Sequence, residues 1–125
     1  QPQEISEKVI TEGLVKLGLL DGDPEELHKS GAYKEFYMHK IGHWLGLDVH
    51  DAGDYVEGEE YMKFKPGMIT TIEPGIYISS SMDIDDKWKG IGIRIEDDIL
   101  VTKDGNENLT KKVPSDPEEI ESLMS

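Results

Sequence analysis

Apolar residues at Ile5, Val9, Ile10, Leu14 and Leu17 recur mostly three or four apart, with Glu and Lys between them, which predicts an amphipathic helix over residues 4–20. Asp21-Gly22-Asp23 closes it. Asp23-Pro24-Glu25-Glu26 then restarts a shorter helix, with Asp as N-cap, Pro at the first helical position and acids in the first turn. Residues 30–54 are rich in Gly, His and aromatics and lack helical periodicity, so strand fragments and loop are expected there. Residues 68–78 follow Pro66-Gly67 and carry β-favouring Ile, Thr and Tyr, which predicts a strand in which Pro74 holds Glu73 extended. Residues 91–102 alternate, Ile91, Ile93 and Ile95 against Arg94, Glu96 and Asp98, as a long strand with one apolar and one charged face would. The turn Lys103-Asp104-Gly105-Asn106 and a return over residues 107–110 complete a hairpin. Asp116-Pro117-Glu118-Glu119 repeats the helix cap, and Ile120, Leu123 and Met124 edge a last short helix. The expected class is α+β: two N-terminal helices, an antiparallel sheet and a short C-terminal helix, with no internal repeat.

Composition narrows the partners. The chain has 125 residues, enough for one domain, and its hydrophobic share of 36% supports a modest core. A net charge of −14, from 27 acidic and 13 basic residues, repels phosphate backbones and anionic lipid, which argues against nucleic acid and membrane and favours cations. Without Cys there is no disulfide and no zinc–thiolate site, so a metal must be held by His, Asp, Glu or carbonyl oxygen. A soluble, cytoplasmic protein is expected, since no signal peptide and no bilayer-length apolar run is evident. The polar start Gln1-Pro2-Gln3-Glu4, without Met, leads us to expect a longer parent chain.

His39, His43 and His50 cluster in the segment His39-Lys40-Ile41-Gly42-His43-Trp44-Leu45-Gly46-Leu47-Asp48-Val49-His50-Asp51. This is not the helical His-Glu-x-x-His spacing, and each imidazole taken singly reads more readily as a hydrogen-bonded structural residue than as a ligand. Glu73, in Thr70-Thr71-Ile72-Glu73-Pro74-Gly75, is costly inside a sheet unless a cation meets it, and alternation alone leaves it facing water at a sheet edge. Arg94, Glu96 and Asp98 by themselves would serve as a solvated ladder on one strand face.

The three segments in order change the weighing. The 39–51 block, then Glu73-Pro74-Gly75-Ile76-Tyr77, then Gly92-Ile93-Arg94-Ile95-Glu96-Asp97-Asp98 resemble the successive signature blocks of the pita-bread metallopeptidases, which include aminopeptidase P, prolidase and methionine aminopeptidase. Residues 44–51 are similar to the proline-specific branch. Gly90-Ile91-Gly92-Ile93-Arg94 and Gly105-Asn106-Glu107-Asn108-Leu109-Thr110 are similar to its bacterial aminopeptidase P members. The resemblance covers nearly the whole chain and implies half of a pita-bread fold, residues 1–125 forming the C-terminal half of the catalytic domain. It implies His43, Glu73 and Glu96 as metal ligands, with Glu96 bridging two divalent ions. An imidazole among carboxylates suits Mn2+, with Co2+, Fe2+ or Zn2+ as substitutes. It implies an activated water attacking the carbonyl before proline, and Glu73 passing the proton toward the leaving nitrogen. His39 and His50 would hold the peptide and stabilise the oxyanion, Arg94 would orient the carboxylates, and Tyr77 would line the pocket.

A whole enzyme of this kind also draws two aspartates from an earlier strand hairpin, and that half, with a separate N-terminal domain, is absent from this sequence. Asp48, Asp51, Asp83 and Asp97 lie in blocks matched to other places. The expectation is therefore an Xaa-Pro aminopeptidase segment that is inactive and weakly metal-loaded alone, and that pairs with its missing half or self-associates. The readings set beside it are a non-catalytic peptide-binding module of the same fold, a prolidase cleaving Xaa-Pro dipeptides, and an acidic structural or calcium-buffering domain. The last lacks an Asp-rich calcium loop.

Overall fold

The computed structural model describes residues 1–125, which divide into two compact units, Gln1–Ile41 with Pro74–Arg94 and Gly42–Glu73 with Ile95–Ser125. In chain order the strands are β1 Val56–Glu57, β2 Glu60–Tyr61, β3 Ile69–Ile72, β4 Gly75–Tyr77, β5 Gly92–Arg94, β6 Asp97–Val101 and β7 Asn106–Asn108.

In the first unit, helix α1 spans Pro2–Lys16 and buries Ile10, Thr11 and Leu14. It stops before residue 20 because Gly18 turns left-handed at φ 71° and Leu19 N–H reaches back to the Leu14 carbonyl. Helix α2, Pro24–Ser30, starts where the Asp23 carboxylate accepts from the N–H groups of Glu25 and Glu26 and closes on left-handed Gly31. A 3-10 turn at Ala32–Glu35 follows, and β4 and β5 pair antiparallel. The core is Ile10, Leu14, Tyr33, Phe36, Tyr37 and Ile78, with Leu19, Leu20, Ile76, Met82, Ile84 and Trp88 around it. Tyr77 N–H donates to the Phe36 carbonyl, fixing β4 against the chain that leaves the 3-10 turn.

A polar cluster sits in the same unit. Glu7 accepts from Gln3 Nε2, and His28 Nε2 lies buried 3.5 Å from Glu7 Oε2, without a well-formed hydrogen bond. Burial raises the Glu7 carboxyl, but Gln3, Tyr33 and the His28 imidazole outweigh it and hold Glu7 below the usual carboxylate range. Burial, then the bond to Glu7, pushes the Tyr33 hydroxyl up to about 12.

The second unit holds a three-stranded antiparallel sheet in the order β3-β6-β7. It also holds the small β1–β2 hairpin and helix α3, Pro117–Met124, capped by the Asp116 carboxylate. Trp44 stacks on Tyr55 with ring centroids 5.5 Å apart and meets Phe64 edge-on. No helix of the chain is long and apolar enough to cross a membrane.

Two expected strands prove to be broken. Residues 68–78 divide into β3 and β4 at Glu73-Pro74, and residues 91–102 divide into β5 and β6 at Ile95-Glu96. Pro74 has no N–H for a ladder, which accounts for the first break; the second follows from β6 pairing with β3 while β5 pairs with β4. The expected apolar face of residues 91–95 is not covered within this chain: Ile91, Ile93 and Ile95 are 41, 54 and 46% exposed. Residues 30–54 contribute a 3-10 turn and one isolated bridge, Trp44 to Thr70, rather than strands. The β1–β2 hairpin and the 3-10 turn at Asp86–Trp88 were not anticipated.

Candidate metal centre

Strand register assembles the site. Thr71 and Glu73 are two apart and so project to one face of β3 and its continuation. On one side, the Trp44–Thr70 bridge sets His43 opposite Thr71, and Thr71 N–H donates to the His43 carbonyl at 2.9 Å. On the other, Ile72 pairs with Asp97, so the next residues outward, Glu73 and Glu96, leave the ladder side by side. His43, Glu73 and Glu96 each offer a ligand atom, and these atoms lie within 4.8 Å of one another. Glu73 is buried, His43 half-buried and Glu96 exposed. The water-facing edge position that alternation alone left open for Glu73 does not occur, since it is only 9% exposed.

The donor set calls for a cation. His43 Nδ1 lies 3.0 Å from the Trp44 carbonyl oxygen, which can only accept, so Nδ1 carries the proton. In the neutral ring this leaves the Nε2 lone pair facing Glu73 Oε1 at 3.3 Å, and the second carboxylate, Glu96, adds like charge beside the first. A cation held among these three side chains would satisfy that arrangement. An imidazole whose other N–H is tied to a backbone carbonyl is the usual state of a metal-ligating histidine. One nitrogen and carboxylate oxygens suit a hard or borderline divalent ion.

Sequence reading missed Thr71. Its hydroxyl accepts from His43 N–H at 2.9 Å and donates to Glu73 Oε1 at 3.0 Å, so one buried side chain ties the backbone of one candidate ligand to the carboxylate of another. Gly42 is required beside it, because a Cβ there would collide with the Thr71 carbonyl. Only the pairing of residues 28 apart exposes these roles; "Thr-Thr-Ile" in a sequence says β-strand and nothing more.

The other predicted residues fall in two places. His50, exposed, meets the His43 ring edge-on with centroids 4.3 Å apart. Its loop is built on Asp51, whose carboxylate accepts from the N–H groups of Leu47 and Ala52. Within the first unit, Arg94 Nε donates to the Tyr77 hydroxyl at 2.7 Å, and His39 Nε2 lies 3.1 Å from the same oxygen. His39 Nδ1 donates to the Lys40 carbonyl, so Nε2 of the neutral ring accepts the tyrosine proton and both ring nitrogens are engaged. Arg94, Tyr77 and His39 thus form one hydrogen-bonded group.

Comparison with known proteins agrees with this reading of the motifs. Residues 3–103 match the model of metallopeptidase family M24. The Xaa-Pro aminopeptidase of Escherichia coli is 51% identical over 94% of this chain and 26% of its own length. That of Haemophilus influenzae is 50% identical over 94% of this chain and 27% of its own length. Among solved structures, aminopeptidase PepP of Pseudomonas aeruginosa superposes with a TM-score of 0.93 at 55% identity, over 98% of this chain and 28% of that one. Aminopeptidase P from E. coli with the inhibitor Pro-Leu gives a TM-score of 0.86 at 51% identity, over 94% of this chain and 27% of that one. The chain therefore spans about a quarter of the length of the curated relatives it matches. With its family model matched over most of its length and its α+β fold shared with solved members, the chain belongs to metallopeptidase family M24.

Proposed function

We propose that residues 1–125 are the C-terminal half of the catalytic domain of an Xaa-Pro aminopeptidase, and that His43, Glu73 and Glu96 are its share of a two-metal site. The observation that carries this reading is the convergence of one imidazole and two carboxylates at the end of the β3–β6 ladder, with their ligand atoms within 4.8 Å of one another. Bound divalent ions, Mn2+ above all, supply Lewis acidity toward a peptide carbonyl and toward water. Glu73 takes the proton of the attacking water and delivers it to the proline nitrogen as the peptide bond breaks, a role that its burial and its bond to Thr71 support by holding the carboxylate in one orientation. His39 and His50 bind the peptide and meet the developing oxyanion. For His39 that requires substrate to take over the partner that Tyr77 now supplies. Arg94 and Tyr77 act as a bonded pair, the guanidinium orienting the site and the phenol lining it.

On this reading the chain alone is inactive and pairs with the preceding half of the same enzyme, with further copies assembling around the complete domain. The test is the complete enzyme, or this chain co-folded with its complement, loaded with Mn2+ and given a peptide with proline second. Release of the first residue is expected, with losses in His43→Ala and Glu96→Gln beyond the roughly 10–100-fold typical of outer partners of a metal site. Binding of such peptides without cleavage would favour the binding module. Cleavage confined to dipeptides would favour a prolidase.

A further inference from the structure

We infer that Thr110 and Asp97 lock the register of β6 and so hold Glu96 on the face where His43 and Glu73 await it; the inference rests on the metal-site reading above. A slip of one residue in β6 would send Glu96 to the opposite face of the sheet and empty the site of one carboxylate. Hydrophobic patterning does not forbid that slip. In β6 Leu100 points to one face and Ile99 and Val101 to the other, all half-buried, and β3 likewise carries an isoleucine on each face, Ile69 and Ile72. The outer strand β7 is three polar residues, Asn106–Asn108, paired with residues 99–101.

A polar clasp just beyond β7 makes the distinction. Leu109 N–H donates to the Asp98 carbonyl at 2.8 Å, which carries the β6–β7 pairing one step further and brings Thr110 opposite Asp97. The Thr110 hydroxyl donates to Asp97 Oδ1 at 2.7 Å, lies 3.1 Å from Asn108 Oδ1, and accepts from Asp98 N–H at 3.0 Å. Thr110 N–H donates to Asn108 Oδ1 at 2.9 Å. A carboxylate acceptor makes the 2.7 Å contact the strong member of the set. A slip of one residue would turn the Asp97 side chain to the opposite face, out of reach of the Thr110 hydroxyl, and would break the bond from Asp98 N–H to that oxygen. The clasp acts on the residue next to Glu96 in the chain, which makes Thr110 a positioning residue and gives Asp97 a structural duty in place of a ligand role.

The experiment uses the complete enzyme, stripped of metal and titrated calorimetrically with Mn2+, with hydrogen exchange read at the Asp98 and Leu109 amides. Thr110→Val should bind Mn2+ on the order of 10–100-fold more weakly and exchange faster at those amides, while Thr110→Ser, which keeps the hydroxyl, restores both. Faster exchange in Thr110→Val with wild-type Mn2+ affinity would overturn the lock, as would Thr110→Ser binding as weakly as the valine variant. Should the valine variant not fold, Asp97→Asn keeps an acceptor without the charge. A weakened Mn2+ affinity there supports the lock and an unchanged one overturns it. The underlying metal-site reading fails separately, if Glu96→Gln and His43→Ala leave Mn2+ binding as in wild type.

Discussion

Thr71 is the side chain on which two candidate ligands depend, and it is 1% exposed. Replacing it by valine keeps the shape but strands the His43 N–H and removes a donor from Glu73 Oε1. Each buried group left without a partner costs about 1–3 kcal/mol, so Thr71→Val should lower the unfolding free energy by that order in denaturant titrations and weaken Mn2+ binding, whereas Thr71→Ser should do little. The residues proposed to bear chemistry were legible: His43, Glu73 and Glu96 stand in motifs whose types and order announce them. The residues that aim them were not. Thr71, Gly42 and Thr110 have ordinary neighbours in the chain, and their partners come from strand pairing that no local pattern encodes.

Elements were read well where the signal is local. Asp23 and Asp116 cap α2 and α3 as their Asp-Pro-Glu-Glu runs predict, because capping needs only neighbours. Strand continuity failed where it is set by partners, at Glu73-Pro74 and Ile95-Glu96, and those breaks are where the carboxylates emerge. In the helical part, Leu14 is fully buried in the core, so Leu14→Ala should cost about 2–5 kcal/mol in the unfolding free energy. The packing of α1 against Tyr33 also carries a pH signature. Tyr33 has a folded-state pKa raised to about 12, above the roughly 10 of an exposed tyrosine, so its contribution is complete below that lower value. It is lost as pH rises from about 10 toward about 12. Thermal unfolding followed across that range should show a falling melting temperature in wild type and a shallower fall in Tyr33→Phe.

At the scale of the molecule, a net charge of −14 sets copies of the chain against one another, while uncovered apolar side chains favour association. Ile5 and Val9 on α1 are each 62% exposed, and Ile93 on β5 is 54% exposed. On the proposed reading, in which the preceding half of the enzyme pairs with this chain, that half covers these residues. Self-association of the isolated chain in analytical ultracentrifugation, relieved when the preceding half is supplied, is the expected behaviour. The central claim is narrower: one imidazole and two glutamates, set side by side by β3 and its neighbours, hold a shared divalent ion. Anomalous diffraction from crystals of the Mn2+-loaded complete enzyme tests it directly. The account predicts manganese within bonding distance of His43, Glu73 and Glu96. Manganese bound elsewhere, with those three side chains making no contact to it, would contradict the account.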